Sequence, residues 1–172
     1  MKVILQQQEP VLRAIAEPVT EKEISTSAFK TLLLDMKEAL KSQDDGVAIA
    51  APQIGVSKRI FIVSGKALAI ADEKKEESLA DHRDLVFINP AITKLSQKKA
   101  VLEEGCLSVR YLYGKVARSE KATMTALDES GKKFTRGATG LLAQIFQHEV
   151  DHLNGILFID KAKDIREILP EK

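Results

Sequence analysis

Apolar residues recur at helical spacing through Phe29, Leu32, Leu33, Met36 and Leu40 with charged residues between them, which predicts an amphipathic helix capped by Ser25, Thr26 or Ser27. Asp44-Asp45-Gly46 closes it. The stretch Val47-Ala48-Ile49-Ala50-Ala51-Pro52-Gln53-Ile54-Gly55 is mostly small, so a ligand or another backbone can come close, and it reads as a packed strand followed by a loop. Residues 59–63 (RIFIV) predict a short strand. Strand patterns recur at 85–88, 91–95, 100–103, 122–127 and 132–135, with turns at Asn89-Pro90 and Glu129-Ser130-Gly131. Helical spacing then returns from about Ala138 to Asn154, and Gly155 supplies a stop. Residues 156–159 are expected to return to the sheet and the charged tail from Lys161 to form a short helix. The charges crowded between residues 64 and 84 predict a solvated, partly helical excursion. Before residue 20, Pro10 and Pro18 punctuate turns and extended pieces. This order of elements predicts an α+β fold, with antiparallel β-sheets packed around the C-terminal helix.

Composition adds bounds. A chain of 172 residues suits one domain spanning 1–172, and 26 Lys and Arg against 25 Asp and Glu give no reason to expect a nucleic-acid or membrane partner. The apolar runs are far shorter than the ~20 residues of a membrane span. The first residues, MKVILQQQEP, do not read as a secretory signal. The single cysteine, Cys106, excludes an intramolecular disulfide and fits a cytoplasmic location.

The chemistry concentrates in Gln147-His148-Glu149-Val150-Asp151-His152. On a helix, residues four apart share a face, so His148 and His152 can present imidazoles to one cation, with Glu149 beside it as a proton acceptor. Leu141, Ile145, His148 and His152 form one stripe and Leu142, Phe146, Glu149 and Leu153 the next, so the histidines continue an apolar face where unpaired polar groups are costly. A catalytic site of this type takes three protein ligands. No histidine follows His152, which leaves Asp164, Glu167 or Cys106; taken alone, Cys106 reads as a small buried hydrophobe. His82, in the charged stretch, is left outside the site.

Three stretches, Gly46-Val47-Ala48-Ile49-Ala50-Ala51-Pro52-Gln53, Glu104-Gly105-Cys106-Leu107-Ser108 and Gln147 to His152, resemble in order and spacing the signature motifs of the peptide deformylase family. The resemblance extends to Pro10-Val11-Leu12-Arg13, Ile88-Asn89-Pro90 and Gly140-Leu141-Leu142-Ala143. It implies hydrolysis of the N-formyl group of formyl-methionine on nascent polypeptides, releasing formate. By motif position it implies Cys106, His148 and His152 as ligands of one divalent metal ion, Fe²⁺ natively with Zn²⁺ or Ni²⁺ also accepted. It implies Glu149 as general base and then acid, Gln53 and the Leu107 backbone N–H as oxyanion donors, and Gly46, Val47, Ala48, Glu104 and Gly105 around the substrate. A monomer acting on chains at the ribosome, in transient contact with it, is the expected partner picture. Ala48 stands where the family usually has glycine, and Val109 leads to Arg110 to Gly114 where proline usually follows; both bear on substrate preference. A pairing of Asp151 with Arg118 is also expected. The alternatives are a metallopeptidase using a downstream acid, and a non-catalytic metal module, against which Glu149 and Gln53 weigh.

Overall fold

A computed structural model describes residues 2–71 and 83–169. The elements begin with a 3-10 turn over Pro10–Arg13, helix α1 (Glu21–Ile24) and helix α2 (Ser27–Lys41). Strand β1 (Ala48–Ala50), a second 3-10 turn (Ala51–Ile54), β2 (Ile60–Val63) and helix α3 (Gly65–Ala71) follow. Strands β3 (Leu85–Leu95), β4 (Lys99–Cys106), β5 (Val109–Ser119), β6 (Lys121–Leu127) and β7 (Lys133–Thr139) lead to helix α4 (Gly140–Leu153). A last 3-10 turn (Phe158–Asp160) and β8 (Lys163–Glu167) complete the described chain.

The strands form two antiparallel sheets, ordered β1-β2-β3-β6-β7 and β4-β5-β8. The period-2 alternation explains why all four residues of β2 are buried. Phe61 and Val63 pack in one cluster with Phe146, Ile145 and Leu142 of α4, while Ile60 and Ile62 pack on the opposite face with Leu33, Met36 and Leu40 of α2. Strand β1 follows the same rule, with Ala48 and Ala50 toward α4 and Ile49 toward α2. The small residues of β1 therefore let the motif helix lie close to the sheet edge. Phe61, Phe87 and Phe146 stack and edge together in the middle of this core. Leu12, Val109, Val116, Leu157 and Phe158 form a third cluster around the smaller sheet.

The expected α+β class and the two main helices are present, and Thr26 is the cap whose hydroxyl accepts from Phe29 N. Several local expectations are corrected. Asn89-Pro90 is not a turn: β3 runs through it with a bulge, Asn89 adopts φ 49, and its side chain bonds Val19 N and Val19 O as a strand neighbour would. The excursion expected from residue 64 is helical over 65–71, as α3, but not solvated there, since Ala67 and Leu68 enter the core. Residues 109–119, assigned no element from the pattern, form β5. Residues 138 and 139 belong to β7, and α4 starts at Gly140 with φ 54. Residues 158–160 form a 3-10 turn instead of a strand, and the tail pairs with β5 as β8 instead of forming a helix. The charged residues 72–82, including His82, lie outside the described residues. No helix among the described residues is long and apolar enough to cross a membrane.

Candidate metal centre

Helix α4 is locked in register by Gln147, whose amide accepts from Ser119 N and donates to Ser119 O, both at 2.9 Å. This buried double bond to the β5–β6 junction fixes which face of α4 looks inward. At the other end Gly155, with φ 73, ends the helix; a Cβ there would meet Arg13 O at 2.5 Å, so only glycine fits. Arg59 Nη1 donates to Leu153 O at 3.0 Å, satisfying one of the terminal carbonyls.

Opposite α4, the β4–β5 hairpin turns at Leu107-Ser108, and Cys106 sits at the end of β4 paired with Val109. Gln6 ties this turn across the molecule: its Nε2 donates to Leu107 O at 3.0 Å and its Oε1 accepts from Arg110 N at 3.3 Å. The result is convergence. Cys106 Sγ and one ring nitrogen each from His148 and His152 lie within 4.8 Å of one another, with Sγ 3.2 Å from His152 Nε2. Asp164 and Glu167, the other third-ligand candidates, lie on exposed β8, and Asp164 pairs with Lys115 at 3.1 Å.

Behind the imidazoles stands a buried ionic network. His148 Nδ1 lies 3.0 Å from Glu104 Oε2, which leaves Nε2 to face Cys106. Glu104 takes two bonds from Arg118, at 2.7 and 2.9 Å, and Arg118 reaches Asp151 Oδ2 at 2.7 Å, so the expected Asp151–Arg118 pair is present. Lys161 adds a second cation on Asp151 at 2.7 Å. Burial pushes the Glu104 carboxyl up, but Arg118 and His148 outweigh it and hold it at about 2. Burial likewise raises the Cys106 thiol, and His152 and His148 more than offset that, bringing it to about 5. Burial works against a proton on His148, yet Cys106 and Glu104 keep its pKa well above the ordinary range. The pocket thus favours a thiolate where the imidazoles meet. A thiolate and two imidazoles are a donor set suited to a borderline divalent ion, so the residues fit a metal.

Glu149 is buried, its Oε2 has no hydrogen-bond partner among the described residues, and burial raises its pKa. Gln53 is 1% exposed; its Oε1 accepts from Ala50 N at 2.8 Å, and its Nε2 donates to Ser108 Oγ at 3.1 Å and lies 3.7 Å from Cys106 Sγ. A cleft of about 320 Å³ opens over these groups, walled by Val47 and Ala48 on one side and Gly105, Cys106 and Leu107 on the other. Gly105 is forced by packing, since a Cβ would come within 2.8 Å of the Tyr113 ring. Glu104 reaches the cleft from behind, its carboxylate committed to Arg118 and His148. Gly46 does not line this cleft; a Cβ there would press on Leu40. Gln6 and Gln144 lie around the site with no signal in the sequence pattern, because their partners are far away along the chain; Ser108 and Arg110 lay in stretches the sequence singled out, without their contacts to Gln53 and Asp45 being legible.

A family model for polypeptide deformylase matches residues 1–167. The chain belongs to the polypeptide deformylase family. It is 45% identical over 159 residues to a peptide deformylase of Halothermothrix orenii, covering 92% of each chain. It is 37% identical over 158 residues to one of Treponema pallidum, covering 92% of this chain and 86% of that one. Its fold matches a Met-Ala-Ser-bound class I type b peptide deformylase of Acinetobacter baumannii with a TM-score of 0.80 at 34% identity, covering 94% of this chain and 99% of that chain. As a member of this deformylase family, the chain is a metal-dependent hydrolase that removes the N-formyl group from nascent polypeptides.

Proposed function

We propose that residues 1–172 act as one catalytic domain in which Cys106, His148 and His152 hold a single divalent ion, natively Fe²⁺, with Zn²⁺ or Ni²⁺ accepted by the same donors. The observation that carries this reading is the meeting of one sulfur and two imidazole nitrogens within 4.8 Å, directly beside a buried Glu149 oxygen that has no partner among the described residues. A divalent ion so held lowers the pKa of water from ~15.7 toward ~7 and polarises a carbonyl oxygen.

The chain's own groups do the rest. Glu149, pushed toward the neutral form by burial, takes a proton from the attacking water and returns it to the leaving amine nitrogen, as a general base and then acid. Gln53 Nε2, held by the bond its Oε1 accepts from Ala50, and the Leu107 N–H of the hairpin turn donate to the formyl oxygen as it gains charge, each worth on the order of 3 kcal/mol of barrier. Val47, Ala48 and Gly105 bound the groove that takes the substrate backbone. The buried Ala48 methyl takes up room at its inner edge. Glu104 orients His148 through its Nδ1, leaving Nε2 for the ion. The substrate is the formyl-methionyl end of a nascent chain, met in the cytoplasm by a monomer in transient contact with the ribosome; the ligand thiol suits such a reducing compartment.

Formate release from formyl-Met-Ala-Ser, measured on protein prepared anaerobically with Fe²⁺ and assayed for metal, tests the reading. Glu149→Ala is expected to keep its metal and lose on the order of 10²–10⁴ in kcat. Unchanged turnover by the metal-loaded variant would falsify the assignment. Cys106→Ser is expected to lose bound metal; full metal retention would transfer the third-ligand role to another residue.

A further inference from the structure

The cleft runs from a buried floor at Gln53 and Glu149 to an exposed rim at Asp45, Val47 and Tyr111. A polypeptide with its formyl end on that floor must leave across the rim. There Arg110 joins the two walls. Arg110, just after the Cys106 turn, donates from Nη1 to Asp45 Oδ2 at 2.7 Å, from Nη2 to Asp45 Oδ1 at 3.3 Å, and from Nη2 to Gln43 Oε1 at 2.5 Å. Asp45 and Gln43 lie on the loop between α2 and β1, which continues into Val47 and Ala48 of the facing wall. The backbone beside Arg110 is held on both sides. Its own N–H donates to Gln6, and the next residue, Tyr111, keeps a left-handed φ of 68 while its carbonyl accepts from Ile168 N at 2.8 Å. A left-handed non-glycine residue persists only where its surroundings impose it, so Arg110 is presented from a fixed position.

Resting on the deformylase reading, we propose that the Arg110–Asp45 pair is the specificity-determining element for the residues that follow the formylated methionine. Its fork of two bonds fixes the distance between the walls, and its charges meet the side chains of the departing chain. The Asp45 side chain is 59% exposed against 28% for Arg110, so the carboxylate is the member nearer the departing chain. Basic residues after methionine are therefore accepted better than acidic ones. Neutralising Asp45 leaves an unpaired guanidinium and inverts that preference; removing Arg110 sharpens it. Both effects are screened by salt.

The test uses formyl-Met-X-Ser peptides with X as Lys, Ala or Glu, and in parallel the unformylated Met-X-Ser peptides, whose Kd is read by calorimetry without turnover. Asp45→Asn is expected to lower the Lys-to-Glu ratio of kcat/KM, and of affinity, by about three- to tenfold. Arg110→Gln is expected to raise it by a similar factor, and the double variant to return it toward the parent value. The effect is carried by KM and shrinks at high salt. Ratios that move less than about twofold in both single variants overturn the proposal. So does a fall in kcat shared by all three peptides, which would make the pair a structural brace. Absence of formate release by the parent protein would overturn the deformylase reading instead, while the product-peptide affinities still decide the role of the pair.

Discussion

Arg118 shows how one residue can hold a site it does not touch. It is 3% exposed, binds Glu104 through two nitrogens and Asp151 through a third, and stands between the helix that carries the histidines and the strand that carries Cys106. Burying these charges repays its desolvation cost only while every partner is present. Arg118→Ala is therefore expected to destabilise the fold by about 3–5 kcal/mol, read from urea denaturation, because it leaves the buried Glu104 with His148 as its ion-pair partner and takes one of two cations from Asp151. A loss below about 1 kcal/mol would show that solvent reaches the network. At this scale the sequence was informative where chemistry is local. The spacing of His148 and His152 announced a shared face, and both lie where it placed them. The third ligand was not legible from spacing, since Cys106 meets them only through the β4–β5 hairpin. Gln6 gave no signal at all, and Arg110 only that of a departure from the family pattern, with no hint of its partner Asp45.

Among the elements, α1 carries a pH dependence of its own. Thr20 and Glu23 form a capping box, and Lys58 bonds Glu23 from the neighbouring loop. The Lys58 ammonium, then the Thr20 N–H and hydroxyl, lower the Glu23 carboxyl from 4.5 to about 2. A folded-state pKa below the ordinary value means that the carboxylate's contribution is present above pH 4.5 and is lost as pH falls toward 2. The Tm difference between the parent protein and Glu23→Gln is thus expected to be greatest above pH 4.5 and to close on acidification; a constant difference from pH 6 to pH 2 would contradict this. Helices α2 and α4 were legible because an amphipathic face repeats over many residues. The strand at Asn89-Pro90 and the terminal strand were not. A left-handed asparagine that borrows Val19 as a partner looks like a turn from within its own segment, and β8 takes its conformation from pairing with β5.

The molecule as a whole sets two sheets against each other through α4. Cys106 belongs to the smaller sheet, and His148 and His152 belong to the helix packed on the larger one, so the proposed ion joins two parts of the core. Chelating it from the loaded enzyme is expected to remove about 2.7 kcal/mol where free ion stood a hundredfold above its Kd, a fall of several degrees in Tm. An unshifted melting curve would mean that the ion does not bridge these elements. The sequence by itself determined the α+β class, the two long helices, the histidine pair with its acid neighbour, and the family those motifs resemble. Each of these is written in periodicity or in contiguous residues. Only the tertiary structure decided that the Cys106 sulfur, implied by motif position alone, comes within 4.8 Å of the histidine nitrogens, that Glu104 stands behind them on Arg118, and that Arg110 reaches across to Asp45. Those contacts join residues dozens of positions apart, and nothing in a one-dimensional pattern encodes which distant strands become neighbours.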